Sequence, residues 1–137
     1  MIYNIEEIDF HTVNLIYVNI IGGCVFSMGL KYAGTCDEQT SLTILKQITF
    51  LKSIQIENNN LISDPATKNC LDQYTVNNLL CVCALSLSII QAGGCDIKIF
   101  KAIKSIKKRI QESTVASYGF NMAINMALGF LFLGHGR

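Results

Sequence analysis

The sequence has few charged residues for its length and almost none of the residues that break helices. Its 137 residues include no tryptophan, one proline and two histidines, and only 15% are Asp, Glu, Lys or Arg. A globular domain usually carries about 25% charged residues. The net charge is +1, which argues against a protein that binds nucleic acid mainly by electrostatic attraction. We therefore expect no nucleic-acid partner.

The apolar content is correspondingly high. Half of the residues are hydrophobic and the mean hydropathy is +0.37, which excludes a disordered chain, because such chains are poor in apolar residues and rich in charge. The length allows at most one ordinary domain. We expect a chain with so little polar surface either to lie in a membrane or to belong to a larger structure that covers its apolar faces.

Three stretches of the chain contain no acidic or basic residue: residues 10–30, 73–95 and 113–136. Each could contain a membrane-spanning helix, which needs about 20 apolar residues, so a small three-span membrane protein is one alternative. Amides within the stretches, such as Asn19 and Asn78, are costly against lipid unless they are paired. These amides favour helices that are buried in a protein core, and we therefore expect no membrane partner.

The six cysteines are even in number, which is compatible with disulfides, but three of them lie in or at the ends of apolar helical stretches. The chain opens with Glu6, Glu7 and Asp9, where a secretory signal needs a basic segment and an apolar run. We therefore predict reduced, buried cysteines in an intracellular protein. Cys81 and Cys83 point to different faces of a helix, and no second pair has zinc-site spacing, so we predict no metal. The six are Cys24, Cys36, Cys70, Cys81, Cys83 and Cys95.

Three segments align without gaps: residues 22–34, 81–93 and 122–134. Two columns hold small residues, and every segment ends in a glycine. The small columns contain Ser27, Ser86 and Ala127, then Gly29, Ser88 and Gly129, and the final glycines are Gly34, Gly93 and Gly134. Such a glycine can take the left-handed conformation that ends a helix. The aspartate three residues later, Asp37 or Asp96, is a suitable N-cap for the next helix.

An amphipathic pattern follows each of the first two glycines. The apolar positions are Ile44, Leu45, Ile48 and Leu51 in one case and Ile99, Ile103, Ile106 and Ile110 in the other. They recur at helical spacing, and Lys101, Lys104 and Lys108 lie on the opposite side. These lysines are a candidate partner-contact face. Each unit is thus predicted to be an apolar helix buried on all sides, a glycine turn, and an amphipathic helix that covers it and meets water.

These units predict an all-α fold, an α-solenoid of helical hairpins. The predicted helix pairs are 13–33 with 38–54 and 75–92 with 96–112, followed by a helix at 118–133, after a lead-in at 1–12. A polar insertion is predicted at 55–73, because asparagines 58–60 precede Asp64 and Pro65. About two and a half repeats result. Since at least three are usually needed for stability, we expect a piece of a longer array.

The turn sequences resemble those of proteasome/cyclosome (PC) repeats. The resemblance is carried by residues 29–35 (GLKYAGT), by 84–93 (ALSLSIIQAG) and most specifically by 118–137 (YGFNMAINMALGFLFLGHGR). The last block resembles the repeat region of the anaphase-promoting complex subunit 1 family. His135 stands where that family usually has glycine, and Asn121 where it has histidine. Non-ATPase subunits of the proteasome regulatory particle share the Ala-Gly turn and are the alternative within the fold.

The resemblance implies a non-catalytic scaffold in a cell-cycle ubiquitin ligase, with helix pairs closed into a toroidal array. Its partners would be a cullin-RING module, a coactivator and tetratricopeptide-repeat subunits, which together ubiquitinate mitotic substrates in the nucleus and cytoplasm. It implies no catalytic residue, metal or cofactor in this chain. The residues assigned to repeat turns are Gly29, Ala33, Gly34, Ala92, Gly93, Gly129, Gly134 and Gly136.

Overall fold

The computed structural model describes residues 10–60, 72–112 and 118–135, and within these ranges it contains helices and turns but no strand. The helices are α1 (Phe10–Lys31), α2 (Glu38–Asn60), α3 (Gln73–Ile90), α4 (Ile97–Glu112) and α5 (Tyr118–Leu131). The predicted all-α fold of helical repeats is confirmed.

The largest differences from the predicted helix boundaries are at the start of α1 and the end of α2. α1 begins at Phe10, inside the predicted lead-in, and α2 continues to Asn60. The asparagine run at 58–60 is therefore helical rather than part of a loop. Because adding a residue to a helix that already exists costs far less than starting one, poor helix formers can continue it. The remainder of the predicted insertion, from 61 to 71, lies outside the described residues.

Both predicted aspartate caps are present. The backbone N–H of Thr40 donates to Asp37 Oδ2 at 2.8 Å, and that of Lys98 donates to Asp96 Oδ1 at 2.7 Å. Each bond satisfies a donor in the first turn of a helix that has no partner within the helix. Side-chain and backbone hydrogen bonds from Thr40 also hold the pKa of Asp37 below its ordinary value. The caps fix where α2 and α4 begin.

The helices form two layers around α3. One layer consists of α1, α3 and α5, with α3 packed against both of the others, and the second consists of α2 and α4. The main helix contact of α2 is with α3 rather than α1, and α4 packs on α5 as well as on α3. Each amphipathic helix therefore packs against the first helix of the following unit, so consecutive units share one hydrophobic core.

The predicted apolar faces of the amphipathic helices form much of this core. Ile44, Ile48 and Leu51 of α2 are at most 2% exposed, and the four isoleucines of the predicted α4 face are at most 1% exposed. Burying such a side chain contributes about 1.5–3 kcal/mol. The lysines of α4 stay on the solvent side. Periodicity thus identified the buried side of both helices correctly.

The prediction that the first helix of every unit is buried on all sides is wrong for α1 and α5, and α3 meets it except along one stripe that begins at the exposed Tyr74 and Asn78. α3 is buried along most of its length. In contrast, Ile16, Tyr17 and Ile20 of α1 are 54–58% exposed, and Tyr118 of α5 is 85% exposed. The reason is position, since α3 has a neighbour on both sides, whereas α1 and α5 form the two edges of the layer.

Two of the described helices are long and apolar enough to cross a membrane, over Thr12–Lys31 and Gln73–Ile90. The second is mostly buried inside the protein, as expected for the core helix of a helical stack. α5 has 14 residues and is about 21 Å long, whereas the hydrocarbon core of a bilayer is ~30 Å thick. Among the described residues, α5 is therefore not one of the candidate membrane spans.

Candidate functional site: the stacked glycine turns

The three repeat turns share one backbone geometry. Gly34, Gly93 and Gly134 all have positive φ, at 68°, 74° and 81°, which is the left-handed region that glycine enters without strain. At the next residue each turn is closed by an equivalent hydrogen bond. These bonds are Thr35 N to Tyr32 O at 3.2 Å, Gly94 N to Gln91 O at 2.9 Å, and His135 N to Phe132 O at 3.0 Å.

The turn glycines join consecutive units. The Gly34 N–H donates to the carbonyl of Ile89 at 2.9 Å, and the Gly93 N–H donates to that of Phe130 at 3.1 Å. The two bonds occupy equivalent positions of the aligned segments. In an ordinary glycine cap the glycine N–H turns back to a carbonyl of its own helix. Here the glycine N–H donates to a carbonyl at the end of the first helix of the next unit. The turn therefore ends its own helix and also forms a joint, meaning a hydrogen-bonded link between two units.

A second bond in each joint comes from a cysteine. Cys36 N–H donates to the carbonyl of Ile90 at 3.0 Å, and Cys95 N–H to that of Leu131 at 3.3 Å. Both cysteines have positive φ, at 53° and 50°, which is uncommon for a residue other than glycine. The bond to the next unit compensates for this conformation. The equivalent position of the third turn, Gly136, lies outside the described residues.

The described cysteines differ in exposure, with two buried, two exposed and Cys95 intermediate. Cys81 and Cys83 are buried in α3, and desolvation raises the pKa of their thiols to about 11 and about 12, the second also because Cys81 lies nearby. Cys24 and Cys36 are exposed, so the prediction of burial is wrong for them. Cys24 lies on the side of α1 away from α3, and Cys36 lies in a surface turn. The five described cysteines are free thiols, and Cys70 is not described.

The small-residue columns allow close approach of helices. A Cβ on Gly29 would lie 2.8 Å from Ser86 Cβ and 2.9 Å from its Cα, and one on Gly22 would lie 3.1 Å from the Leu79 side chain. Gly129 is the repeat equivalent of Gly29, yet a Cβ there would meet nothing within 4 Å. The difference arises because α3 covers Gly29, whereas no described helix covers Gly129.

The exposed face of α5 is equivalent to buried faces of the preceding units. Val18 and Gly29 of α1, and Asn77, Cys81 and Ser88 of α3, are buried. Their equivalents in α5 are Tyr118, Met122 and Gly129, and all three are exposed. In addition, within the described residues, the Gly134 N–H makes no counterpart of the bonds from Gly34 and Gly93. This edge therefore has the surface that joins one unit to the next.

The opposite edge shows the same relationship. Ile20, Cys24 and Ser27 of α1 are exposed, while their equivalents in α3 and α5 are buried. These equivalents are Leu79, Cys83 and Ser86 in α3 and Phe120, Ile124 and Ala127 in α5. The two edges of the stack are thus the two complementary sides of one repeating interface.

The remaining predicted site residues lie at the surface. Ala33 is exposed and Ala92 is half-buried, and both precede turn glycines. Lys101, Lys104 and Lys108 are exposed along one side of α4, with the Lys104 ammonium 6.0 Å from the centre of the Phe100 ring.

Two polar contacts between units were not predicted from the sequence. Gln91 Nε2 donates to Ser41 Oγ at 3.1 Å in a buried bond between the end of α3 and the start of α2. Lys52 Nζ donates to Ser105 Oγ and so links α2 to α4. Both pairs are about 50 residues apart in sequence, and no local pattern marks them. In the described ranges there is no group of three or more His, Cys, Asp or Glu side chains that could hold a metal ion.

Comparison with known proteins identifies the family. A family model described as APC1 fifth domain matches residues 2–137. The chain is 37% identical to anaphase-promoting complex subunit 1 of Dictyostelium discoideum, over 94% of this chain and 6% of that protein. It is 32% identical to the subunit of the same name in Arabidopsis thaliana, over 97% of this chain and 8% of that protein. It is also 32% identical to the negative regulator of mitosis of Emericella nidulans, over 88% of this chain and 6% of that protein.

The chain spans less than a tenth of the length of these relatives, and the match covers its helices and all three glycine turns. Turn geometry, repeat alignment and sequence similarity agree, and the chain therefore belongs to the anaphase-promoting complex subunit 1 family.

Proposed function

We propose that the chain is part of a non-catalytic scaffold subunit of the anaphase-promoting complex, a cell-cycle ubiquitin ligase of the nucleus and cytoplasm. The proposed partners are the cullin-RING module, the coactivator and the tetratricopeptide-repeat subunits, which such a scaffold would hold together for ubiquitination of mitotic substrates. The observation that carries the proposal is the pair of uncovered edges on α1 and α5, in a chain that belongs to this family.

The edges support an array that extends in both directions. An apolar helix face such as that of α5 is costly to leave in water, and in a solenoid each unit buries the face of its neighbour. The equivalent faces of α1 and α3 show what would cover α5: a helix with a small residue opposite Gly129, as Ser86 lies opposite Gly29. Further units of the same type would cover the exposed apolar faces at both edges.

The joints suggest how the scaffold would work. Two backbone hydrogen bonds per joint, such as those of Gly34 and Cys36, fix the angle between one unit and the next. A stack held in this way sets the distance and orientation of whatever binds to it, and such positioning is itself a contribution to catalysis by other subunits. Small changes at successive joints would let the array shift between conformations.

Affinity purification of the full-length protein that contains this segment tests the proposal. We expect cullin and RING subunits to be recovered with it, and the cullin to remain bound through washes at moderate salt. Recovery of proteasome ATPases instead would support the alternative of a regulatory-particle subunit. Carbonate extraction of membranes tests the membrane alternative, since a scaffold subunit is released into the supernatant and a three-span protein is not.

A further inference from the structure

Positive charge is concentrated on α4. Residues 97–111 contain no acidic residue, although the net charge of the whole chain is only +1. The cations are Lys98, Lys101, Lys104, Lys107, Lys108 and Arg109. Lys107 Nζ donates to Asn125 Oδ1 at 2.9 Å, and the Lys104 ammonium lies over the Phe100 ring. Together the six cations create a local positive field on the outer layer of the stack.

The end of α2 adds a further cation to this surface. Lys52 Nζ donates to Ser105 Oγ, and Arg109 lies one turn beyond Ser105 on α4. Burial, and secondly the charge of Arg109, lowers the pKa of Lys52. Because Lys52 is bonded to Ser105 and Arg109 follows one turn later on α4, positive side chains of the two helices lie near one another. Like charges repel when they are brought together without a counterion, and this arrangement favours an anion between them.

Arg109 is the clearest sign of a missing partner. Its Nε atom is buried and has no hydrogen-bond partner among the described residues, and burial lowers the pKa of the guanidinium. A buried polar group without a partner is rare and costly, and most of all when it is charged. A guanidinium donates in a planar fork that fits the two oxygens of a carboxylate or a phosphate.

We propose that Lys52, Ser105 and Arg109 form a binding site, here called the α2–α4 site, for an acidic segment of a partner protein. A carboxylate or phosphate oxygen of that segment accepts hydrogen bonds from the Arg109 fork and from Lys52. Lys101 and Lys108 line an open cavity together with Ser105 and extend the positive surface along the bound segment. The inference goes beyond the scaffold proposal and does not rest on it.

Two other kinds of partner fit this surface less well. An amphipathic helix that binds a lipid surface places its apolar face in the membrane, but the apolar face of α4, including Ile103 and Ile106, is fully buried in the core. Single-stranded nucleic acid is usually held by exposed aromatic rings between cations. The aromatic residue of α4, Phe100, is half-buried and packs edge-on against Phe132, with 5.6 Å between ring centres.

Fluorescence anisotropy with two labelled peptides tests the proposal, one rich in glutamate and one in which phosphoserine replaces the glutamates. The whole chain is titrated against each. We expect saturable binding to at least one peptide, and the stronger binder identifies whether carboxylate or phosphate is preferred. Arg109→Gln should weaken binding about tenfold or more, because a hydrogen-bonded charge is lost. Arg109→Lys should weaken it less, because the charge remains and only the fork is lost.

Lys46→Gln is the matched control, since Lys46 is exposed on α2 and its removal changes the net charge equally. We expect it to alter the dissociation constant by no more than about twofold. Far-UV circular dichroism establishes that each variant is folded, and Lys52→Gln provides a second test, on the α2 part of the site. Equal effects of Arg109→Gln and Lys46→Gln would overturn the proposal. So would absence of saturable binding to both peptides, or tighter binding of single-stranded RNA or phosphatidylserine vesicles.

Discussion

Replacing Gly29 with alanine tests the close approach of α1 and α3 in the stack. The new Cβ would lie 2.8 Å from Ser86 Cβ and 2.9 Å from Ser86 Cα, both inside van der Waals contact. The Ser86 Cα belongs to the backbone of α3 and cannot rotate away, so the two helices must separate. Gly129→Ala is the matched control, because the same repeat position is open on α5.

Two opposing contributions determine the magnitude. Alanine stabilises a helix interior by about 1 kcal/mol relative to glycine, and this gain applies at both positions. Overpacking a tight interface costs about 1–3 kcal/mol, and this cost applies only at Gly29. We therefore expect Gly129→Ala to raise the free energy of unfolding by about 1 kcal/mol. The free energy of unfolding of Gly29→Ala should be about 1–3 kcal/mol lower than that of Gly129→Ala.

Urea unfolding followed by far-UV circular dichroism measures the difference. The unmodified chain and both variants should be compared at one low protein concentration, so that association through the uncovered edges contributes equally. If Gly29→Ala proved as stabilising as Gly129→Ala, the α1–α3 interface would have room for a methyl group, and the close approach of the two helices at Gly29 would be disproved.

Three further predictions follow from the joints, the caps and the thiols. Gly93→Ala should lower the melting temperature more than Gly34→Ala: both positions have positive φ, but only at Gly93 would the Cβ approach a carbonyl, that of Leu133 at 3.0 Å. An equal loss of melting temperature in the two variants would mean that backbone strain at positive φ accounts for both, with no contribution from the Leu133 carbonyl. The pKa of Asp37 is held below 3.8 by hydrogen bonds from Thr40, so Asp37 contributes stability that is present above this pKa and lost as the pH falls through the lower folded value. Stability measured between pH 5 and pH 2 should fall more steeply for the unmodified chain than for Asp37→Ala, and parallel curves would contradict this. In the Cys70→Ser variant at pH 8, a thiol reagent should modify the exposed Cys24 and Cys36 rapidly. It should modify Cys81 and Cys83 only on unfolding, because burial raises the pKa of their thiols to about 11 and about 12. Uniform labelling of the native chain would show that Cys81 and Cys83 are not buried.

The features that could be predicted from the sequence are those that depend on residues close together in the chain. The isoleucine spacing of α4 identified its buried side, because an amphipathic helix must turn one face to the core. The aspartates after Gly34 and Gly93 predicted the starts of α2 and α4, since the cap and the helix it stabilises are adjacent in sequence. The gapless alignment of the three glycine segments also predicted a repeating helical fold, which the helices confirm.

Features that depend on neighbours in space could not be predicted in the same way. The apolar composition of α1 resembles that of α3, yet only α3 has a helix on each side, so exposure of Ile20 depends on position in the stack. The same reasoning explains why Cys24 is exposed while Cys83 is buried. The hydrogen bond between Lys52 and Ser105 joins residues 53 positions apart on two helices, and no periodicity within either helix reveals it.

The glycine turns link the units through one repeating interface, and the α5 edge is an unfilled copy of that interface. Amide hydrogen exchange measured by NMR distinguishes the filled copies from the unfilled one. Met122→Glu places a charge on the uncovered edge and is expected to keep the chain monomeric. In this variant we predict slow exchange at Gly34 and Gly93, whose N–H groups donate to Ile89 and Phe130, and fast exchange at Gly134. Similar exchange rates at all three glycines would contradict the account.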